Sequence, residues 1–126
     1  NDGDLDLLIV NNGGAVDLLR NEGGSGNNAI VIRLIGTTSN RDAIGARVKV
    51  TAGGVTQMRE VKAGSSYLSQ NDFRVHVGVG KATQIDRLEV RWPNGQSETI
   101  SGAMVNQIVT VTEGKGITAR TGLVRR

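Results

Sequence analysis

The 126 residues contain no cysteine, one proline, and one each of tryptophan, tyrosine, phenylalanine and histidine. Without thiols there is neither a disulfide framework nor a thiolate metal site. The single imidazole, His76, excludes a histidine cluster. The shortage of aromatics removes the stacking platforms that nucleic-acid modules set beside their basic stripes. The longest apolar run, Leu7 to Val10, falls far short of the ~20 residues that a spanning helix needs, so membrane insertion is not expected. The opening Asn1-Asp2-Gly3-Asp4 is the reverse of the basic start of a secretory leader. Hydrophobic residues, at 37%, are lean but enough for one small core in a chain of one domain's length.

Charge is unevenly spread. Residues 1–28 hold five acids (Asp2, Asp4, Asp6, Asp17, Glu22) and one base, Arg20, whereas the remainder holds fourteen bases and seven acids. Such a split suggests two modules. The basic part reads either as solvated strand faces or as a polyanion surface formed by Arg33, Arg47, Lys49, Arg74, Arg87 and Arg91.

Alternation with a two-residue period dominates. Ile30, Ile32 and Leu34 share one parity, as do Ala46, Val48 and Val50; Phe73, Val75, Val77 and Val79; Leu88, Val90 and Trp92; and Val105, Val109 and Val111. This is the pattern of half-buried antiparallel strands. Ala52-Gly53-Gly54 reads as a hairpin turn, and Pro93-Asn94-Gly95 as a tight turn between Trp92 and Glu98. About seven short strands from Ala29 onward predict an all-β fold, a small antiparallel β-sandwich or barrel. Residues 1–24 predict a separate hairpin, 25–28 a Gly/Asn-rich linker, 29–114 the main domain and 115–126 a basic C-terminal tail. Apolar residues on both parities of the hairpin fit a strand pair buried between neighbours that this chain does not supply. The hairpin is therefore expected to fold back onto the main domain or to self-associate.

Three segments carry chemical potential. Asp2, Asp4 and Asp6 alternate around Gly3, as oxygen ligands do in half of a calcium loop, yet half a loop cannot supply the six to eight oxygens calcium takes. Arg41 and Asp42 sit in the connection Ser39–Gly45, where they form either a rigid loop, with Arg41 bonding loop carbonyls, or a ligand-binding edge. Tyr67, Gln70, Asn71 and Asp72 lie in the most polar connection, 63–72, and read either as a glycan patch or as a corner with Tyr67 packed inward. Trp92 shares parity with Leu88 and Val90 and is expected in the core. His76 falls with Arg74 on the polar face. No carboxylate pair or Ser-His-Asp set can be argued, and no catalytic residue is assigned. The residual enzymatic alternatives are an enzyme's accessory domain and a weak hydrolase on Asp42, Asp72 and Arg74.

Four segments in order resemble the signature of the ASPIC/UnbV domain: Ser39-Asn40-Arg41-Asp42-Ala43-Ile44-Gly45-Ala46-Arg47-Val48, Gly64-Ser65-Ser66-Tyr67-Leu68-Ser69-Gln70, His76-Val77-Gly78-Val79-Gly80 and Val90-Arg91-Trp92-Pro93-Asn94-Gly95. Ala43 stands where that pattern commonly has Gly, and Val77 and Val79 where Phe and Leu are frequent. Residues 1–24 resemble the end of an FG-GAP/VCBS-type propeller repeat, with Asp2, Asp4 and Asp6 in the second half of its calcium loop. The resemblance implies a β-rich module following propeller repeats in an exported or extracellular protein, with calcium belonging to the repeats and no cofactor in this domain. The resulting expectation is a non-catalytic accessory or adhesion-type module offering a protein- or glycan-binding surface, the alternative being polyanion binding.

Overall fold

The computed structural model describes residues 2–22 and 26–124. Among them there are ten strands and no helix: β1 Leu7–Ile9, β2 Asp17–Leu19, β3 Asn28–Ile35, β4 Arg47–Ala52, β5 Val55–Glu60, β6 Val75–Gly80, β7 Arg87–Arg91, β8 Ser97–Ile100, β9 Gln107–Thr112 and β10 Gly116–Gly122. Two four-stranded sheets, neither closed into a barrel, make the main body. Sheet I has the order β10-β9-β3-β6 and sheet II the order β5-β4-β7-β8, while β1 and β2 pair only with each other.

Alternation dictates which face each strand buries. Sheet I turns Ile30, Ile32, Leu34, Val75, Val77, Val109 and Val111 inward, and sheet II turns Val48, Val50, Leu88, Val90 and Ile100 to meet them. Full burial of each such side chain contributes about 1.5–3 kcal/mol, so this two-sided apolar layer is what holds the sandwich together. Trp92 lies at the end of the inward row of β7 and is 1% exposed, as its parity requires. The β4–β5 turn places Gly53 and Gly54 at φ 56° and 77°, the double left-handed conformation of a two-residue hairpin.

Three expectations need correction. The strands are not all antiparallel: β3 runs parallel to β9, from Ile30 opposite Gln107 to Ile35 opposite Thr112. Alternation fixes the buried face of a strand but not its partner's direction. The segment 115–126 is not a tail in its described part, because Gly116–Gly122 pair with β9 and bring the main body to eight strands. Three of its residues are glycine or alanine and one is charged, so neither apolar alternation nor bulk marked it as a strand. The linker 25–28 ends earlier than expected, since Asn28 already pairs with Gly80; Ser25 lies outside the described residues.

The hairpin forms with Leu7 opposite Leu19, Leu8 opposite Leu18 and Ile9 opposite Asp17. Only the segment before it folds back. The His76 Nε2–H donates to the Gly3 carbonyl at 2.7 Å, and Gly3 packs on Leu123. Leu5, Val31, Ile108 and Leu123 share a shallow groove there on the outer face of sheet I, where Val31 is buried.

Candidate functional site

The loop between β3 and β4 is built around a carboxylate from the far end of the chain. Glu113, in the β9–β10 turn, is buried and accepts six hydrogen bonds. Its Oε2 takes the backbone N–H groups of Thr37, Thr38 and Ser39 at 2.7, 2.9 and 2.9 Å. Its Oε1 takes the Thr38 and Ser39 hydroxyls, both at 2.9 Å, and Asn94 Nδ2 at 2.7 Å. Three successive N–H groups turned to one point form a nest for an anion, and the chain fills it with its own side chain. Burial opposes the charge, but the bonds from Ser39, Thr37 and Thr38 outweigh it and hold the Glu113 carboxyl down at about 2. The turns at 93–95 and 112–115 and the loop after Ile35 are thereby locked together.

Asn40 closes the rest of that loop, accepting the Ile44 N–H at 2.8 Å and donating to the Ile44 carbonyl at 2.9 Å. Ala43 is wholly buried at φ 52°, the left-handed region that favours glycine. At Gly36 a Cβ would stand 2.2 Å from the Asn40 carbonyl oxygen, so glycine is required where the loop crosses itself. Arg41 and Asp42 are both exposed at the surface of this loop. The expectation of an inward Arg41 bonding loop carbonyls therefore fails; Asn40, Glu113 and the backbone brace the loop instead. Gly45 N–H donates to the Val61 carbonyl at 2.8 Å, tying the loop to the start of the next polar connection.

In that connection Ser66-Tyr67-Leu68-Ser69 forms a tight turn, with the Ser69 N–H reaching the Ser66 carbonyl at 3.4 Å and Ser69 Oγ the Tyr67 carbonyl at 2.9 Å. Leu68 has φ 48°. Tyr67 is 86% and Leu68 90% exposed, which overturns the reading of an inward-packed Tyr67. Around them Gln70 is exposed, and Asn71 Nδ2 donates to Ser65 Oγ at 2.6 Å. Asp72 is drawn away toward sheet I: it accepts from the Arg74 N–H and Nε at 2.8 and 2.7 Å. The Arg74 side chain holds the Asp72 carboxyl below its usual range. The loop thus leaves Tyr67, Gln70 and Asn71 exposed, while Asp72 serves the start of β6. His76 shares the outer face of sheet I with Arg74, as its parity predicts, but is half-buried under Gly3 rather than open to solvent.

The three N-terminal acids do not converge. Asp2 Oδ1 accepts the Asp4 N–H at 3.2 Å, which lowers the Asp2 pKa, and Asp6 Oδ1 accepts the Asn21 N–H at 2.9 Å. No group of three or more acids and histidines among the described residues is placed to hold a metal ion, so these residues do not fit a calcium shell. Asp2 and Asp4 instead border a polar cleft of about 720 Å³ with Arg20, Glu22, Asn28 and His76.

The bases separate into two sets. Arg47, Lys49, Arg87 and Arg91 share the outer face of sheet II, Arg47 directly opposite Arg91 and Lys49 opposite Glu89. Glu60 pairs with Arg47 at 3.4 Å, and Glu89 with Lys49 at 3.7 Å and Arg87 at 3.0 Å; among the described residues no carboxylate pairs with Arg91. Arg33 and Arg74 belong to sheet I and its approach.

Two facing sheets, loops pinned by one buried carboxylate, and exposed loop tips define an all-β sandwich module that displays side chains on a rigid frame. The chain belongs to the ASPIC and UnbV family, whose pattern matches residues 36–118. The match starts at the glycine where the first loop crosses itself and ends inside β10, beyond the boundary expected at 114. A comparison with curated proteins finds no match. Sequence reasoning missed Glu113; the signal available was a lone acid between Thr112 and Gly114 at the end of an apolar strand, which does not reveal a partner 74 positions away.

Proposed function

We propose that this chain is a non-catalytic binding module of an exported multidomain protein, with its contact surface on the 63–72 loop. The observation that carries this reading is Tyr67, a ring held in solvent on a braced turn, in the same loop as the exposed amide side chains of Gln70 and Asn71. Saccharides are bound by that combination of an aromatic face and amide groups, and exposed Tyr is also a frequent anchor at protein contacts. A non-catalytic role is supported by how the carboxylates are used: Glu113 is spent on loop closure and Asp72 on Arg74. The exported setting rests on the resemblance of residues 1–24 to a propeller repeat. The test is binding of the purified chain to an array of neutral and acidic glycans, with Tyr67→Ala alongside. Saturable binding that falls at least tenfold in the variant, at unchanged melting temperature, supports the reading. Absence of saturable binding, or equal binding by Tyr67→Ala, removes the glycan form of it.

A second reading is favoured by the four bases on the outer face of sheet II. That face is suited to an acidic polymer. Retention on heparin that weakens steeply with salt, and is lost in Arg47→Glu/Arg91→Glu, would support it. Tyr67→Ala leaves such retention unchanged, which separates the two readings.

A further inference from the structure

Asparagine followed by glycine is prone to lose its amide, because glycine has no Cβ to keep its backbone nitrogen away from the preceding carboxamide carbon. The chain holds two such pairs, Asn12-Gly13 in the β1–β2 turn and Asn94-Gly95 in the β7–β8 turn. Both asparagines are exposed to water, but only Asn94 is tied into the Glu113 network. Its Nδ2 donates to Glu113 Oε1 at 2.7 Å and to Thr38 Oγ1 at 2.9 Å, and its Oδ1 accepts the Gln96 N–H at 2.9 Å. The Gly95 N–H donates to the Trp92 carbonyl at 2.9 Å. A carboxamide fastened at both its nitrogen and its oxygen cannot turn its carbon toward the Gly95 nitrogen without releasing these bonds.

Deamidation would consume the donors on which the lock depends. The Gly95 nitrogen gives its proton to water or hydroxide and bonds to Asn94 Cγ. The Cγ–Nδ2 bond then breaks and ammonia leaves. The cyclic imide has neither the Gly95 N–H nor the Nδ2 hydrogens, so the bonds to Trp92, Thr38 and Glu113 are lost together. Water opens the imide at one of its two carbonyls and leaves a carboxylate at position 94, on an ordinary or a lengthened backbone. A carboxylate only accepts hydrogen bonds. It would face the Glu113 oxygen to which Asn94 now donates, setting like charges against each other where a proton had joined them.

We propose that Asn94 is a deamidation site governed by the Glu113 network: the closed lock protects the Asn94-Gly95 bond, local opening exposes it, and the product prevents reclosure. The native rate is then the rate of the open chain scaled by the fraction of time the lock is open. Each reaction fixes a molecule in the opened state, so the lock opens reversibly at first and irreversibly once the amide has gone.

Peptide mapping by mass spectrometry, after incubation of the full chain at mildly alkaline pH, tests this. In guanidinium-unfolded chain Asn12 and Asn94 are expected to react at similar rates, since glycine follows both. In the folded chain Asn94 is expected to react at least about tenfold more slowly than when unfolded. Glu113→Gln is expected to remove most of that protection and to leave the Asn12 rate unchanged. Val77→Ala weakens the core away from the lock and is expected to keep Asn94 protected. Asn94→Asp reproduces the product's charge; it is expected to melt several degrees below wild type, with a smaller loss in the Glu113→Gln background, where the like charge is gone. Equal rates for Asn94 in folded and unfolded chain overturn the proposal. So does equal loss of protection in Val77→Ala and Glu113→Gln, which would place the reaction in the globally unfolded chain. An Asn94→Asp chain that melts like wild type also overturns it, because the lock would then close over the product.

Discussion

At the residue scale, the core is most sensitive where shape and conformation coincide. Trp92 is buried, yet its Nε1–H finds no acceptor. Its value is therefore volume rather than hydrogen bonding. Trp92→Ala is expected to cost about 3–5 kcal/mol and Trp92→Phe much less, because Phe removes the unsatisfied donor along with some bulk; urea denaturation of both variants checks the ordering. Ala43 is the second sensitive point. Its φ of 52° and complete burial leave no place for a branched side chain, so Ala43→Val should lose about 2–3 kcal/mol through strain and overpacking. The same conformation explains why glycine suits this position. The inward direction of Trp92 was legible from its parity with Leu88 and Val90. The outward direction of Tyr67 was not, because a turn with no repeating period gives no face to read.

At the element scale, one side chain holds three loops. Replacing Glu113 by Gln would leave three backbone N–H groups facing an amide with a single acceptor oxygen and two donors of its own. Glu113→Gln is expected to lower the melting temperature by several degrees at neutral pH. The carboxyl ordinarily titrates at 4.5 and here at about 2, so its contribution is complete above 4.5 and is lost as pH falls toward 2. The gap between wild type and variant should therefore narrow over that window, and melting curves stepped through it provide the check. A gap independent of pH would mean that Glu113 acts by packing alone. β3, β4, β6, β7 and β9 were readable because their apolar residues keep one parity, and β5 and β8 from the turns at Gly53-Gly54 and Pro93-Asn94-Gly95. β10 was not, because Thr118, Ala119, Arg120 and Thr121 carry no inward apolar row. The connections at 36–46 and 63–72 could be recognised as loops from their Gly, Ser and Asn content, but not their anchoring, which comes from residues remote in sequence.

At the scale of the whole molecule, the main body and the hairpin are unequal partners. The core is drawn from residues 30–111, and no residue of the hairpin enters it. Deleting residues 1–24 should leave a folded β-sandwich by circular dichroism, destabilised by at most about 1.5–3 kcal/mol through exposure of Val31. It should also abolish any concentration-dependent association. A deletion variant that fails to fold would show that the covering of sheet I by Gly3 and Leu5 is essential. The charge split between the two parts was visible in the sequence. The covering of sheet I by the leading segment was not, since it depends on the fold-back of Gly3 onto His76.

The parallel pairing of β3 with β9 also governs how the chain comes together in time. Ala29 and Asn106 meet across 77 positions, and β3 is an interior strand of its sheet. During synthesis, sheet II can assemble from the hairpins β4–β5 and β7–β8, joined through β4 and β7, once Ile100 has emerged, but sheet I must wait for Thr112. Until then Ile30, Ile32 and Leu34 have only β6 beside them. Closing so long a loop before its contacts form slows folding, and the waiting strand is exposed to mispairing. A chain ended after Met104 should therefore remain protease-sensitive despite retaining all of sheet II, and refolding of the complete chain should be limited by the arrival of its last two strands.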